Sequence, residues 1–337
     1  MVELSVKYLG LNLKNPVIAG SSGLTNSVNG LQRLEQSGVS AIVMKSLFEE
    51  QIYLNADYNI QEAKKNGMVY FRNSETFDYI DTTVKEEYLS NYLDTICEGK
   101  KKIQIPIIAS INCVSAHEWI SFASKLQDAG ADALELNIAL QGFNARLSSD
   151  DIEKRHLDII HKVREKISIP LAVKISPYFA DLSRFIDQLS GTGINGIVMF
   201  NRFFSPDINI DEMKVEAINT FSTPAELSNV LRWIAIKSSD VSCDLCASTG
   251  VHSGRDVIKM LLVGASAVQI VSTLYNNGLA HITTILDEIE KWMQHKGLHY
   301  IDQFSGKMNQ VETDSPMSYE RIQFMKYYSQ LEDAENE

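Results

Sequence analysis

The feature that most constrains the fold is an alternation along almost the whole chain of short apolar runs, rich in β-branched residues, with segments of helical period. Eight such runs stand out: Val17–Ala19, Ala41–Met44, Pro106–Ser110, Ala133–Asn137, Leu171–Ile175, Gly196–Phe200, Val241–Ala247 and Ala267–Ile270. Several are apolar throughout rather than alternating, as strands of a parallel sheet covered by helices on its outer face must be. Between them lie helix candidates with start and stop signals: Ser27–Gln36 before Gly38, Ser115–Asp128 before Gly130, Asp150–Lys166 closed by Pro170, and Asp181–Ser190 before Gly191. Pro224–Lys237, Arg255–Leu262 before Gly264 and Leu279–His295 before Gly297 continue the series. Eight strands each followed by a helix predict an α/β fold, a (β/α)₈ barrel. The alternative, an open doubly wound sheet, would carry Gly-x-Gly-x-x-Gly after its first strand, and that pattern is absent.

Three stretches interrupt the rhythm. Phe48–Thr83 is a long excursion before the second helix, and Asn201–Ser222 follows strand six; insertions of this size in a compact domain are usually lids or binding loops. Leu4–Tyr8 and Leu11–Leu13, about Gly10, predict an N-terminal β-hairpin plugging the barrel's bottom. We divide the chain into a barrel over 1–309 and a tail over 310–337, amphipathic at Tyr319–Leu331 and then acidic, expected to cap the barrel or a partner subunit.

Charge narrows the function classes. With 31 Lys plus Arg against 43 Asp plus Glu the formal net charge is −12, which disfavours a surface that tracks nucleic-acid phosphates. No apolar run reaches membrane-spanning length and the N-terminus lacks a secretory pattern, so no membrane association and a cytoplasmic location are expected. Cys97, Cys113, Cys243 and Cys246 are too scattered for a disulfide framework. The Cys243–Cys246 spacing has no second pair to make a metal site, and packed thiols are expected there.

In a (β/α)₈ barrel the chemistry sits where the strands end. The eight strand ends supply Ser21-Ser22-Gly23, Lys45-Ser46, Asn112-Cys113, Asn137, Lys174 with Ser176-Pro177-Tyr178, Asn201-Arg202, Ser248-Thr249-Gly250, and Ser272-Thr273. Lysines in such apolar surroundings are costly unless an anion meets them. That anion is either an internal carboxylate such as Glu135 or a ligand. Asn137 and Asn201 are likewise either satisfied core amides or ligand contacts. The small residues of Ala247–Asp256, followed by Gln269–Thr273, fall in the loops after strands seven and eight, the usual phosphate site of such barrels. A tight βα turn capped by Ser253 and Ser272 is the structural alternative.

These residues carry a resemblance. Leu13-Lys-Asn-Pro-Val-Ile-Ala-Gly-Ser-Ser-Gly-Leu-Thr25, Val43-Met-Lys-Ser46, Glu135-Leu-Asn-Ile138, Val173-Lys-Ile-Ser-Pro-Tyr-Phe179, Thr249–Val257 and Leu262–Ile270, in this order and spacing, resemble the dihydroorotate dehydrogenases. These are FMN-dependent (β/α)₈ barrels of pyrimidine biosynthesis, and the likeness is closest to the soluble class, over roughly residues 3–309. The resemblance implies an FMN-dependent oxidoreductase acting on CH–CH bonds, taking hydride from dihydroorotate or a related small dihydropyrimidine-like substrate. It implies no metal, an electron acceptor left unidentified, and a homodimer.

By the same resemblance Ser21, Ser22 and Gly23 line the flavin ring, with Ser46 beside them, and Lys45 and Asn137 contact both flavin and substrate. Lys174 faces the N1/O2 edge of the ring, where a cation raises the flavin potential. Thr249, Gly250, Ser272 and Thr273 hold the phosphate; Asn201 and Asn73 hold the substrate. One departure bears on the chemistry. The family's proton-accepting Cys or Ser in the loop after strand four is here Leu140, within Asn137-Ile-Ala-Leu-Gln-Gly142, and leucine accepts no proton. Lys45 and Cys113 are therefore the catalytic candidates, with Tyr178 and Ser148 as further possible bases. A homologue with another substrate, or with no dehydrogenase turnover, is the alternative reading.

Overall fold

The computed structural model describes residues 2–48, 74–112, 116–138, 147–202, 206–217 and 221–320. In chain order the strands are β1 (Val6–Tyr8), β2 (Leu11–Leu13), β3 (Val17–Ala19), β4 (Ala41–Val43), β5 (Leu47–Phe48), β6 (Ile107–Asn112), β7 (Ala133–Asn137), β8 (Leu171–Ile175), β9 (Gly196–Met199), β10 (Pro206–Asn209), β11 (Lys214–Ala217), β12 (Asp244–Ser248) and β13 (Ala267–Ile270). Eight of them, β3, β4, β6, β7, β8, β9, β12 and β13, pair in parallel with their neighbours. The pairings of β13 with β3 and of β4 with β6 close the ring. This is the (β/α)₈ barrel expected from the alternating pattern.

Strand alternation divides the core in two. On β7, Leu134 and Leu136 face the surrounding helices, while Ala133, Glu135 and Asn137 take the alternate, inner positions. The inner positions near the bottom are small (Ala41, Ala133, Ala172, Gly196 and Ala267), and the space they leave is filled by Tyr8, Leu9 and Leu13 of the β1–β2 hairpin. Leu9 and Gly10 both take left-handed conformations at the hairpin tip, and the Leu9 N–H donates to Asp244 Oδ2 at 2.7 Å. Gly196 is obligatory at this packing, because a Cβ there would lie 2.6 Å from Leu9 Cδ2.

Helices form where sequence signals place them. Ser27 caps Val28–Ser37, which ends at Gly38 with φ +107°, and Asp181 caps Leu182–Ser190. Ser253 and Asp256 make a reciprocal capping box on Gly254–Leu262. Four expectations are corrected. The second helix begins at Ser74 and runs to Lys102, so it occupies part of the stretch read as an excursion to Thr83. Strand seven starts at Asp244 rather than Val241, because the Val241 N–H still closes the preceding helix on the Lys237 carbonyl. The insertion after strand six contains the antiparallel hairpin β10–β11. Ser272 begins a short helix, Ser272–Asn277, rather than capping one.

Beyond Gly306 the tail lies against the helical layer: the N–H groups of Gly306, Met308 and Gln310 donate to the carbonyls of Leu261, Leu262 and Ala235. A helical turn forms at Met317–Glu320, and the remainder of the amphipathic segment lies outside the described residues. Cys243 lies in a bend just before β12 and packs partly buried against the outer core, while Cys246 on β12 enters the barrel interior. Among the described residues no cysteine is paired and no cluster of His, Cys, Asp and Glu could hold a metal. No described helix is long and apolar enough to cross a membrane.

Candidate active site

Moving up the barrel, the inner positions change from apolar to polar. Alternate residues of β7 run Ala133, Glu135, Asn137, and those of β8 run Ala172, Lys174, Ser176. Parallel register sets Asn137 level with Lys174 and Ser110 level with Glu135. The described residues singled out at the strand ends are thereby brought to one mouth.

Below the mouth three side chains from three strands form a connected polar group. Lys174 Nζ donates to Gln269 Oε1 at 2.9 Å, Gln269 Nε2 donates to Glu135 Oε2 at 2.5 Å, and Lys174 Nζ lies 3.7 Å from Glu135 Oε1. They are 8%, 2% and 1% exposed for Lys174, Gln269 and Glu135, so Lys174 is a compensated cation. Lys45 differs. It is half-buried at the end of β4, and no ion pair or side-chain hydrogen bond engages it among the described residues.

Asn201 Nδ2 donates to Asn137 Oδ1 at 2.8 Å, which orients both amides across the mouth and leaves the Asn137 NH₂ and the Asn201 carbonyl to a ligand. On the opposite wall Ser21 and Ser46 share a hydrogen bond of 3.2 Å, and Ser46 continues to Ser110 at 2.8 Å. These hydroxyls line up along β3, β4 and β6. Beside Asn201 lies a cavity of about 230 Å³ bounded by Tyr178, Phe200, Arg202 and Thr249, with Arg202 Nε paired to Glu226 Oε2 at 3.0 Å.

The loops after β12 and β13 form a cradle of backbone donors. Thr249 and Gly250 are both left-handed, at φ +83° and +80°, and the Thr249 hydroxyl donates to the Phe200 carbonyl. The N–H groups of Gly250 and Val251 have no acceptor among the described residues. A Cβ on Gly250 would lie 2.4 Å from the Leu227 amide nitrogen, so only glycine fits. Ser272 Oγ accepts from the Ser222 N–H at 2.9 Å, which ties the end of the strand-six insertion to this cradle. The buried Thr273 hydroxyl is turned into the fold, donating to the His252 carbonyl and accepting from Asn277. Any contact Thr273 makes with a phosphate falls to its backbone. Gly20 and Gly23 sit in close packing: Cβ atoms there would lie 2.8 Å from Val271 Cγ2 and 2.9 Å from the Tyr275 hydroxyl.

Of the proposed bases, Ser148 is committed to capping Ser149–Arg164, its hydroxyl bonded to Asp151, and Tyr178 stands largely exposed on the cavity rim. Cys113, Asn73, Leu140 and Gly142 lie outside the described residues. Burial pushes the Cys246 thiol well up, which excludes it as a nucleophile at neutral pH. The sequence reading named Glu135 only as a possible counter-ion and put Gln269 in the loop after strand eight, whereas Gln269 lies on β13 and points inward to Lys174 and Glu135. The signal was a polar residue at an inward position of an otherwise apolar strand, Ala267-Val-Gln-Ile270.

Comparison with known proteins accords with this geometry. The family model for dihydroorotate dehydrogenase matches residues 3–293. The catalytic subunit of dihydroorotate dehydrogenase B (NAD(+)) of Thermoplasma acidophilum is 25% identical over 317 residues, covering 91% of this chain and 99% of that protein. The subunits of the same name from Endomicrobium trichonymphae and Thermoplasma volcanium are 24% and 23% identical over 316 and 317 residues. They cover 92% and 91% of this chain and 98% of each protein.

Proposed function

Because the chain belongs to the dihydroorotate dehydrogenase family, we propose that dihydroorotate is the substrate it oxidises at this mouth, as a step of pyrimidine biosynthesis. The enzyme is an FMN-dependent oxidoreductase acting on CH–CH bonds. The mouth fits that cofactor: it offers unbonded loop N–H groups for a phosphate, hydroxyls and amides at the strand ends, and a buried cation below them. FMN supplies the hydride acceptor.

The observation that carries the substrate reading is the contrast between the two lysines. Lys174 already has its counter-charge in Glu135, whereas Lys45 has none among the described residues. A half-buried cation of that kind favours an anionic ligand, and dihydroorotate carries a carboxylate. The Asn137–Asn201 pair complements it, offering a donor and an acceptor to the cyclic amide edge.

In this reading Lys45 would bind the substrate's charge, the two asparagines would fix the ring plane, and Lys174 would donate to the edge of the flavin where negative charge gathers. Ser21, Ser22, Gly23 and Ser46 would line the flavin, and Thr249, Gly250, Ser272 and Thr273 would hold its phosphate. With Leu140 at the family's base position, and with Lys45 engaged as a cation, proton removal falls to the other catalytic candidate, Cys113. The relatives are named as catalytic subunits of an NAD(+) enzyme, which supports a partner subunit that carries electrons to NAD(+).

We place the chain in the cytoplasm as a homodimer, consistent with the protruding β10–β11 hairpin, whose Ile208, Ile210, Met213 and Val215 are exposed. The test is an anaerobic titration of the FMN-loaded protein with dihydroorotate, followed at the flavin band at about 450 nm. Prompt bleaching is expected; a band that persists through excess dihydroorotate overturns the substrate assignment.

A further inference from the structure

The group formed by Glu135, Gln269 and Lys174 does more than hold a lysine in place. Glu135 Oε2 accepts from Gln269, but Oε1 has no hydrogen-bond partner, and its nearest cation is Lys174 Nζ at 3.7 Å. A buried carboxylate with an oxygen left unbonded is expensive. A glutamine at this position could accept the same hydrogen bond from Gln269 without burying a charge. Gln269 also sets a spacing: its amide stands between the two ions, donating to one and accepting from the other, and so holds them apart from the direct contact they would otherwise make. The result is a cation whose field is partly cancelled by a fixed negative charge just below it, where little water screens either.

We propose that Glu135 is a tuning residue that lowers the reduction potential of the bound flavin by offsetting the charge of Lys174, with Gln269 fixing how large that offset is. The inference rests on the reading of the mouth as an FMN site. Reduction adds negative charge to the flavin, a lysine at its edge would favour that change, and a carboxylate beside the lysine would oppose it. A flavin held at lower potential takes hydride less eagerly and gives electrons onward more readily. That balance suits a nicotinamide acceptor, which is itself a weak oxidant. Glu135 touches neither substrate nor flavin in this scheme; it acts through Lys174.

The test is the midpoint potential of FMN bound to the full-length protein, measured spectroscopically against a reference dye, for the wild type, Glu135→Gln and Gln269→Leu. Glu135→Gln keeps shape and the bond to Gln269 while removing the charge. It is expected to raise the potential by at least about 30 mV, which is a tenfold change in a two-electron equilibrium. Gln269→Leu keeps both charges and removes the spacer, so Lys174 is drawn down onto Glu135 and the potential is expected to fall. A purely structural role for Glu135 predicts weaker FMN binding or lower melting temperature in Glu135→Gln with the potential unmoved. An unchanged or lower potential in Glu135→Gln overturns the proposal. Should that variant not take up FMN, Gln269→Leu decides: a lower potential supports the proposal and an unchanged or higher one refutes it. Failure of the wild type to bind FMN would instead overturn the reading of the site.

Discussion

Gly250 links the fold to the cradle, and replacing it with alanine separates two costs. The first is conformational: at φ +80° an L-residue with a Cβ loses about 1–2 kcal/mol. The second is steric. The new methyl would stand 2.4 Å from the Leu227 nitrogen and 2.8 Å from Leu227 Cα, and these are backbone atoms at the start of Leu227–Lys237, not a side chain that can swing away. Overpacking of this kind typically adds about 1–3 kcal/mol, so the total is about 2–5 kcal/mol. Gly193→Ala is the control, because Gly193 has φ +79° with nothing within 4 Å of the added Cβ and bears the conformational cost alone. Unfolding entropy of about 2.1 cal/mol/K per residue makes 1 kcal/mol worth roughly 1.4 °C of melting temperature in a chain of this length. Gly250→Ala should therefore melt about 3–7 °C below the wild type and Gly193→Ala about 1–3 °C below it. The steric share also moves the cradle's N–H groups, so FMN affinity, followed by flavin fluorescence quenching, should fall at least about tenfold in Gly250→Ala and stay unchanged in Gly193→Ala. Wild-type FMN affinity in Gly250→Ala would refute the assignment of this loop to the phosphate.

Lys45→Met removes a charge-assisted contact worth about 1.5–3 kcal/mol, so flavin reduction by dihydroorotate in stopped flow should slow by about 10- to 100-fold in kcat/KM while FMN remains bound. Burial holds the His156 imidazole below its usual value of 6.5, and the ring packs edge-on against Phe179 and Phe185. The unfolded chain takes up a proton that the native state refuses, so this contribution is complete above about pH 6.5 and is lost as pH falls toward the native value, by at most about 1.4 kcal/mol per pH unit. Denaturant melts of His156→Leu should lack that slope; equal slopes in both proteins would contradict the assignment. At the barrel's floor, Gly196→Ala should cost about 1–3 kcal/mol through Leu9, and Leu9→Ala alone about 2–5 kcal/mol. Unfolding free energies of the double variant should show less than the sum, since the alanine methyl enters the space Leu9 vacates.

Local pattern made much of the scaffold legible. Val17–Ala19, Ala133–Asn137, Leu171–Ile175 and Ala267–Ile270 appear in the structure at the boundaries read from the sequence, because a strand buried on both faces must be a continuous apolar run. The start of the second helix was missed because Ser74–Thr83, rich in Thr, Asp and aromatic residues, has Glu75 as its one strong helix former and no sustained apolar stripe. The β10–β11 hairpin was missed for a related reason: its apolar residues face outward, so no buried face marks its period. Strand ends did foretell that Lys45, Asn137, Lys174 and Asn201 lie toward one side, since closure of a parallel barrel brings every strand's C-terminal end there.

What the sequence determined by itself is periodic and near-neighbour: strand and helix alternation, caps such as Ser27 and Asp181, and the glycines at left-handed helix ends. What only the tertiary structure decided is partnership between distant residues. Glu135 meets Gln269 across 134 positions and Lys174 meets Gln269 across 95, and nothing local marks one lysine as compensated and the other as open. Asn137 and Asn201 become one oriented pair only when the ring closes. The physical reason is that apolar burial is satisfied by any residue of suitable size and so leaves a repeating trace along the chain. A buried charge or amide requires one specific partner, and which partner it finds is set by barrel register.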